Sequence, residues 1–200
     1  MRLPDNRLRR PERLAVIGAG YIGLPTAAGF ADLGYEVVCA DTNPNKLSRL
    51  IAGQVDLHEP DLQDLVQRGL RTRRLSFCNS PAVAAREASI VFICVPTPQA
   101  DDGSADLSYV EQVVAEICPL VRPGTIIVTR STVPVGTAER LKAIIGRRDV
   151  HVASNPEFLR EGAAIGDFKR PDRIVVGTEV DWAREVMHGV YRPLFLNESP

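Results

Sequence analysis

Residues 13–41, RLAVIGAGYIGLPTAAGFADLGYEVVCAD, constrain this chain more than any other stretch. A short apolar run, Leu14 to Ile17, hands over to Gly18-Ala19-Gly20-Tyr21-Ile22-Gly23, an amphipathic segment follows, and a second apolar run at 36–40 ends on Asp41. This is GxGxxG where a strand turns into a helix. Gly18 permits the tight turn, Gly20 has no Cβ to hold a pyrophosphate away from the backbone, and Gly23 lets the helix lie close to the sheet. The N–H groups of the helix's first turn and the positive end of its dipole make an anion site.

Asp41 stands about 20 residues beyond the glycines, where a carboxylate can accept hydrogen bonds from the adenosine ribose hydroxyls. It would repel a 2′-phosphate, and Thr42-Asn43-Pro44 offer no arginine beside it, so the expected cofactor is NAD rather than NADP. Residues 43–53 have helical spacing with Asn43 as cap. Lys46, one turn in, either reaches the ribose or a phosphate or is an ordinary solvated helix lysine.

Apolar strands and amphipathic helices continue to alternate, with helices at 61–68, 81–87, 107–119, 134–145 and 180–191, a stretch at 71–78 that turns from basic loop to strand, and strands at 89–95, 124–129, 150–154 and 173–176. Pro134 enters the fourth of those helices, and 167–171 reads as a loop. Such alternation implies right-handed crossovers and an α/β fold, a Rossmann-type doubly wound, mainly parallel sheet in one domain. Two hundred residues, 44% hydrophobic, suit that size. Residues 1–12 read as a flexible basic arm and 13–200 as the NAD-binding domain.

The formal net charge of −1 gives no general pull toward nucleic acid or an anionic membrane, although five arginines fall within MRLPDNRLRRPER. The longest apolar run, 90–95, is too short to span a bilayer and no signal peptide leads the chain, so a cytoplasmic protein is expected. Cys39, Cys78, Cys94 and Cys118 are scattered singly without metal-ligand spacing and read as buried reduced thiols. No metal is expected. His58 reads as a surface loop residue.

Ligands in an open parallel sheet bind beyond the carboxyl ends of the strands. Val95-Pro96-Thr97 ends one strand and Ser131-Thr132 follows another, so their hydroxyls border one crevice with the glycine turn. Glu157 and Glu161 follow a third strand. Four apart, they would share a face on a helical turn and form a carboxylate pair for acid/base work, or else belong to a solvated helix with Arg160.

Five motifs then stand in one order: GAGYIGLPTA with Asp41, HEPDL, VPTPQ with downstream DLSYV, STVPVGT, and NPEFLREG followed by PDRIVVG. This set resembles the UDP-glucose/GDP-mannose dehydrogenase family, its UDP-glucose 6-dehydrogenase branch most closely. The resemblance implies an enzyme of polysaccharide biosynthesis that oxidises a sugar-nucleotide C6 alcohol to a carboxylate, using two NAD and passing through an aldehyde and a cysteine thioester. UDP-glucose is the implied substrate, GDP-mannose the alternative. A free-standing NAD-binding module is the reading outside the enzyme class.

The resemblance also implies residue roles. Gly18, Gly20, Tyr21, Ile22 and Gly23 would bind the pyrophosphate, and Asp41 and Lys46 the ribose. Thr97, Ser131 and Thr132 would line the nicotinamide side, and Val95 and Pro96 would also contact the cofactor. Glu157 would be the general acid/base, with Thr132 helping to hold the hydrolytic water. Glu161 would reach cofactor and substrate, and Glu157, Phe158, Leu159, Arg160 and Glu161 would flank the sugar. The sequence departs from the family in one respect: none of its cysteines lies after NPEFLREG, where the family carries its nucleophile, a linking helix and a second domain. This chain alone is therefore expected to bind NAD without completing catalysis, and to be a monomer or weak dimer where the full-length protein is a homodimer.

Overall fold

A computed structural model describes residues 13–195; the stretch read as a basic arm, 1–12, and residues 196–200 lie outside the described residues. Six strands, β1 (Arg13–Ile17), β2 (Glu36–Ala40), β3 (Leu75–Cys78), β4 (Ile90–Ile93), β5 (Ile126–Thr129) and β6 (His151–Ser154), form one sheet. They are connected by the helices α1 (Gly23–Asp32), α2 (Pro44–Ile51), α3 (Leu62–Arg71), α4 (Pro81–Ala85), α5 (Ser108–Ile117) and α6 (Thr137–Ile145), and followed by α7 (Ala164–Lys169) and α8 (Asp181–Phe195). Every pairing is parallel, in the order β3-β2-β1-β4-β5-β6. The doubly wound sheet read from the sequence forms.

The strands are apolar on both faces because both are covered. Leu14, Val16, Phe92 and Val128 pack under α1, α3, α7 and α8, where Phe30 stacks on Phe92 at 4.9 Å. Ala15, Ile17, Val91, Ile93 and Ile127 face the opposite layer of α4, α5 and α6. Asn43 caps α2 through its side chain and Ser80 caps α4, each followed by proline at the first helical position.

Register positions the site. Ile17 pairs with both Ala40 and Ile93, Ile93 with Thr129, and Thr129 with Ser154. The next residue along each strand, Gly18, Asp41, Cys94, Arg130 and Asn155, therefore stands on one edge. The strand order reverses between β1 and β4, so the switch point falls at the glycine turn.

Four local readings are corrected. Residues 173–176 form no strand: Val175 gives its carbonyl to the Asn155 side chain at 2.8 Å, and a single antiparallel bridge joins Gly177 to Ser154. The stretch 167–171, read as a loop, lies partly in α7, whose residue before the helix, Ala163, offers no side-chain cap. Glu157 and Glu161 do not share a helical turn, because 155–160 is irregular and the Glu157 carboxylate takes the Leu159 N–H. Finally, α6 starts at Thr137 rather than Pro134, after Gly136 in the left-handed region at φ 91°.

Candidate functional site

The glycine turn is shaped by close approach. At Gly18, φ is +101° and a Cβ would lie 2.6 Å from the Cys94 carbonyl oxygen; at Gly23 a Cβ would lie 1.7 Å from the Gly18 carbonyl oxygen. Gly20 differs, since a Cβ there meets nothing within 4 Å. Helix α1 has no side-chain cap and no acid in its first turn. Among the described residues, the N–H groups of Gly20, Tyr21, Ile22 and Gly23 find no acceptor, whereas Leu24 already donates to the Gly20 carbonyl at 2.9 Å. Unpaired donors around open space at a helix N-terminus fit a pyrophosphate.

Asp41 is held on three sides. Its Oδ2 accepts from the Ala19 N–H at 2.9 Å and from Lys46 Nζ at 2.7 Å, and its Oδ1 from the Asn43 N–H at 2.9 Å. Desolvation, the largest single influence, pushes this carboxyl upward. The hydrogen bonds from Lys46, Asn43 and Ala19 outweigh it and hold the group below the usual carboxylate range. Lys46 is the ion-pair partner of Asp41, which places its ammonium beside the carboxylate assigned to the ribose. A cleft of about 460 Å³ opens beside this pair, with Gly18, Val95, Pro96 and Tyr109 on its walls. Tyr109 lies in the DLSYV stretch, whose place at the start of the helix beyond the VPTPQ loop was the available signal.

The strand ends are stitched to each other. Ser131 Oγ donates to the Val95 carbonyl at 2.6 Å, and Thr97 Oγ1 to the Thr132 carbonyl at 3.1 Å. The two hydroxyl-bearing ends are therefore in contact with each other. Both named donors are engaged, however, while the Thr132 hydroxyl has no partner among the described residues.

The acid-bearing loop crosses the same edge. Glu157 is half-buried, its Oε2 accepting from the Leu159 N–H at 2.5 Å; Glu161 is exposed, with no hydrogen bond or ion pair among the described residues. Arg160 pairs with Asp167 through two bonds of 2.7 and 3.1 Å, and Arg173 lies over the half-exposed Phe158 ring, 4.4 Å from its centroid. The Leu159 carbonyl accepts from the Tyr21 hydroxyl at 3.0 Å, which joins this loop to the glycine turn. Burial raises the Tyr21 pKa, and the charges of Glu157, Glu161 and Glu59 raise it further.

Beneath the loop lies a network missed in the sequence. Arg130, buried, donates from Nε to Thr26 Oγ1 at 3.0 Å and from Nη1 to Asn155 Oδ1 at 2.7 Å and the Tyr191 hydroxyl at 3.0 Å. The Tyr191 hydroxyl in turn donates to Asn155 Oδ1. One guanidinium thereby fastens α1, β5, the loop after β6 and α8. Removing the hydroxyl with Tyr191→Phe leaves Arg130 and Asn155 each one partner short, so a loss of about 1–2 kcal/mol is expected in urea unfolding. The sequence signal was a charged residue directly after an apolar strand.

A doubly wound sheet with an open glycine turn at its switch point and an acid ending β2 defines a Rossmann-type dinucleotide-binding domain. Residues 12–195 match the model of the UDP-glucose/GDP-mannose dehydrogenase family, NAD binding domain. The chain belongs to that family and carries its NAD-binding domain. It is 49% identical over 195 residues to a UDP-glucose 6-dehydrogenase of Rhizobium meliloti, covering 94% of this chain and 45% of the relative. Among solved structures, a UDP-glucose dehydrogenase from Pyrobaculum islandicum matches with a TM-score of 0.83 at 40% identity, over 96% of this chain and 46% of that one. A GDP-mannose dehydrogenase from Pseudomonas aeruginosa matches with a TM-score of 0.85 at 33% identity, over 90% and 44%. The chain thus spans somewhat less than half the length of these relatives. No helix among the described residues is long and apolar enough to cross a membrane.

Proposed function

We propose that this chain is the cofactor-binding half of a cytoplasmic UDP-glucose 6-dehydrogenase, which oxidises the sugar C6 alcohol to a carboxylate. The observation that carries this reading is the junction of two features on one sheet edge. The unpaired N–H groups of the glycine turn and the Glu157 loop meet there, joined by the Tyr21 hydrogen bond to Leu159. When bound, NAD supplies the electron acceptor for both oxidation steps. The backbone from Gly20 to Gly23 holds the pyrophosphate and Asp41 and Lys46 the ribose, Lys46 also fixing the Asp41 carboxylate. Val95 and Pro96 border the cleft beside Asp41 and Lys46, and Thr97, Ser131 and Thr132 wall the nicotinamide side.

Glu157 serves as general acid/base, its carboxylate oriented by the Leu159 N–H. The free Thr132 hydroxyl helps to hold the hydrolytic water. Glu161 reaches cofactor and substrate, and the backbone from Phe158 to Glu161 flanks the sugar. A thiolate is needed to capture the aldehyde. Cys94 lies on the site edge, but burial pushes its thiol up to about 12, with Glu157 adding to that and Arg130 opposing it. We therefore assign the nucleophile to a second domain, which also holds the nucleotide, and the homodimer contact to the helix that links the two.

The test is calorimetric titration of the chain with NAD, followed by NADH formation in the same sample with UDP-glucose or GDP-mannose. NAD binding without turnover is expected. Absence of binding would overturn the cofactor reading, and sustained turnover would overturn the assignment of the nucleophile to another domain.

A further inference from the structure

The HEPDL stretch has no task in the function proposed above, yet its Glu59 reaches across the fold to the site edge. Glu59 Oε1 accepts from the Gly162 N–H at 2.6 Å, and its Oε2 from the Ala164 N–H at 3.0 Å. These amides open α7, whose preceding residue offers no cap of its own. Glu59 therefore stands in for the missing cap from a segment about a hundred residues earlier in the chain. Its own loop is set by Asp61, which holds the left-handed region at φ 64°, and by the Leu62 N–H donating to the Glu59 carbonyl at 3.3 Å.

The same contact fixes Glu161. That residue lies between two anchored points: Leu159, whose carbonyl takes the Tyr21 hydroxyl, and Gly162, whose N–H goes to Glu59. Arg160 between them is also tied, its N–H donating to Asp167 Oδ2 at 2.8 Å. Glu161 itself makes no hydrogen bond or ion pair among the described residues, so these anchors on its neighbours set where its main chain stands and the space its carboxylate can reach. Glu59 and Glu157 lie close enough to act, with Glu161, on the Tyr21 hydroxyl. Three carboxylates so gathered repel one another, and a loop left loose would swing Glu161 away.

We propose that Glu59 is a positioning residue: by binding the amides of Gly162 and Ala164 it holds the 157–163 loop, and Glu161 with it, against the glycine turn. This rests on the reading of Glu161 as a group that reaches the cofactor, and it assigns that contact to the nicotinamide half. A carboxylate is required because it accepts from both amides at once. In Glu59→Gln the amide oxygen can serve one of them, and the NH2 group faces the other donor to donor.

The test compares the chain with its Glu59→Gln variant by calorimetry with NAD and with ADP-ribose, which lacks nicotinamide, and by amide hydrogen exchange. Exchange at Gly162 and Ala164 is expected to quicken about tenfold, with protection in β4 and β5 kept. NAD affinity is expected to fall about fivefold, as for one hydrogen bond, and ADP-ribose affinity to hold. Faster exchange with unchanged NAD affinity would reduce Glu59 to a helix cap and overturn the proposal, as would an equal loss for both ligands. Failure of the unaltered chain to discriminate NAD from ADP-ribose would instead overturn the reading of Glu161. Should Glu59→Gln not fold, Glu59→Asp carries the same comparison, since it keeps the charge and is too short to span both amides.

Discussion

Gly23→Ala is expected to lose about 3 kcal/mol or more of folding stability, whereas Gly20→Ala should stay within about 0.5 kcal/mol of the unaltered chain. The two differ in what a methyl group would meet. At Gly23 it would lie 1.7 Å from the Gly18 carbonyl oxygen and 3.1 Å from Cys94 Cβ, so the helix must leave the turn or the turn must leave β4. Neither neighbour is the end of a flexible side chain. At Gly20 the methyl group meets nothing within 4 Å, and the space it enters is the one assigned to the pyrophosphate. Gly20→Ala should therefore fold normally and bind NAD roughly tenfold or more weakly, a difference of about 1.4 kcal/mol or more. Urea unfolding and calorimetry on both variants separate the two effects. A normal unfolding midpoint for Gly23→Ala would mean that α1 and the turn part freely; unchanged NAD affinity for Gly20→Ala would move the pyrophosphate elsewhere.

That contrast also marks what the sequence made legible. The glycine spacing, the apolar run 90–95 and the cap Asn43 are local signals, and the parallel sheet and the edge bearing Asp41, Thr97, Ser131 and Glu157 follow from them; the strand order and the Ser80 cap came from the structure. What was not legible depends on partners far along the chain. Helix α7 begins where a carboxylate from position 59 caps it, so its own six residues carry no start signal. Residues 173–176 have the apolar character of a strand, but the Asn155 side chain takes the carbonyl that a ladder would use. Glu157 and Glu161 keep helical spacing in a segment that tertiary contacts hold open, with Tyr21 at Leu159 and Glu59 at Gly162. Arg130 reads as part of the STVPVGT loop, and only Thr26, Asn155 and Tyr191 together reveal it as a buried joint.

Asp41→Ala is expected to weaken NAD binding by about 1.5–3 kcal/mol, roughly 10- to 150-fold, the range for hydrogen bonds to a charged group. It should also shift preference toward NADP. In the intact site the carboxylate neutralises Lys46 at 2.7 Å; without it, that ammonium is free to meet a 2′-phosphate and nothing repels one. The ratio of NADP to NAD affinity should thus rise by more than NAD affinity falls. Asp41→Asn separates charge from shape, because it keeps an oxygen for one neighbouring N–H while removing the ion pair. The pH dependence has a definite sign. Three donors hold the Asp41 carboxyl below its usual range, so its contribution is complete above the ordinary carboxylate pKa and is lost as pH falls through its own lower value. NAD affinity of the unaltered chain should therefore hold while ordinary carboxylates take up protons and drop only below that range, and the drop should be absent in Asp41→Asn. The two titration curves should converge at the acid end, where the unaltered site has lost the charge that the variant never had. Parallel curves, offset by a constant amount down to the lowest pH at which the chain stays folded, would show that the charge of Asp41 is not what NAD meets.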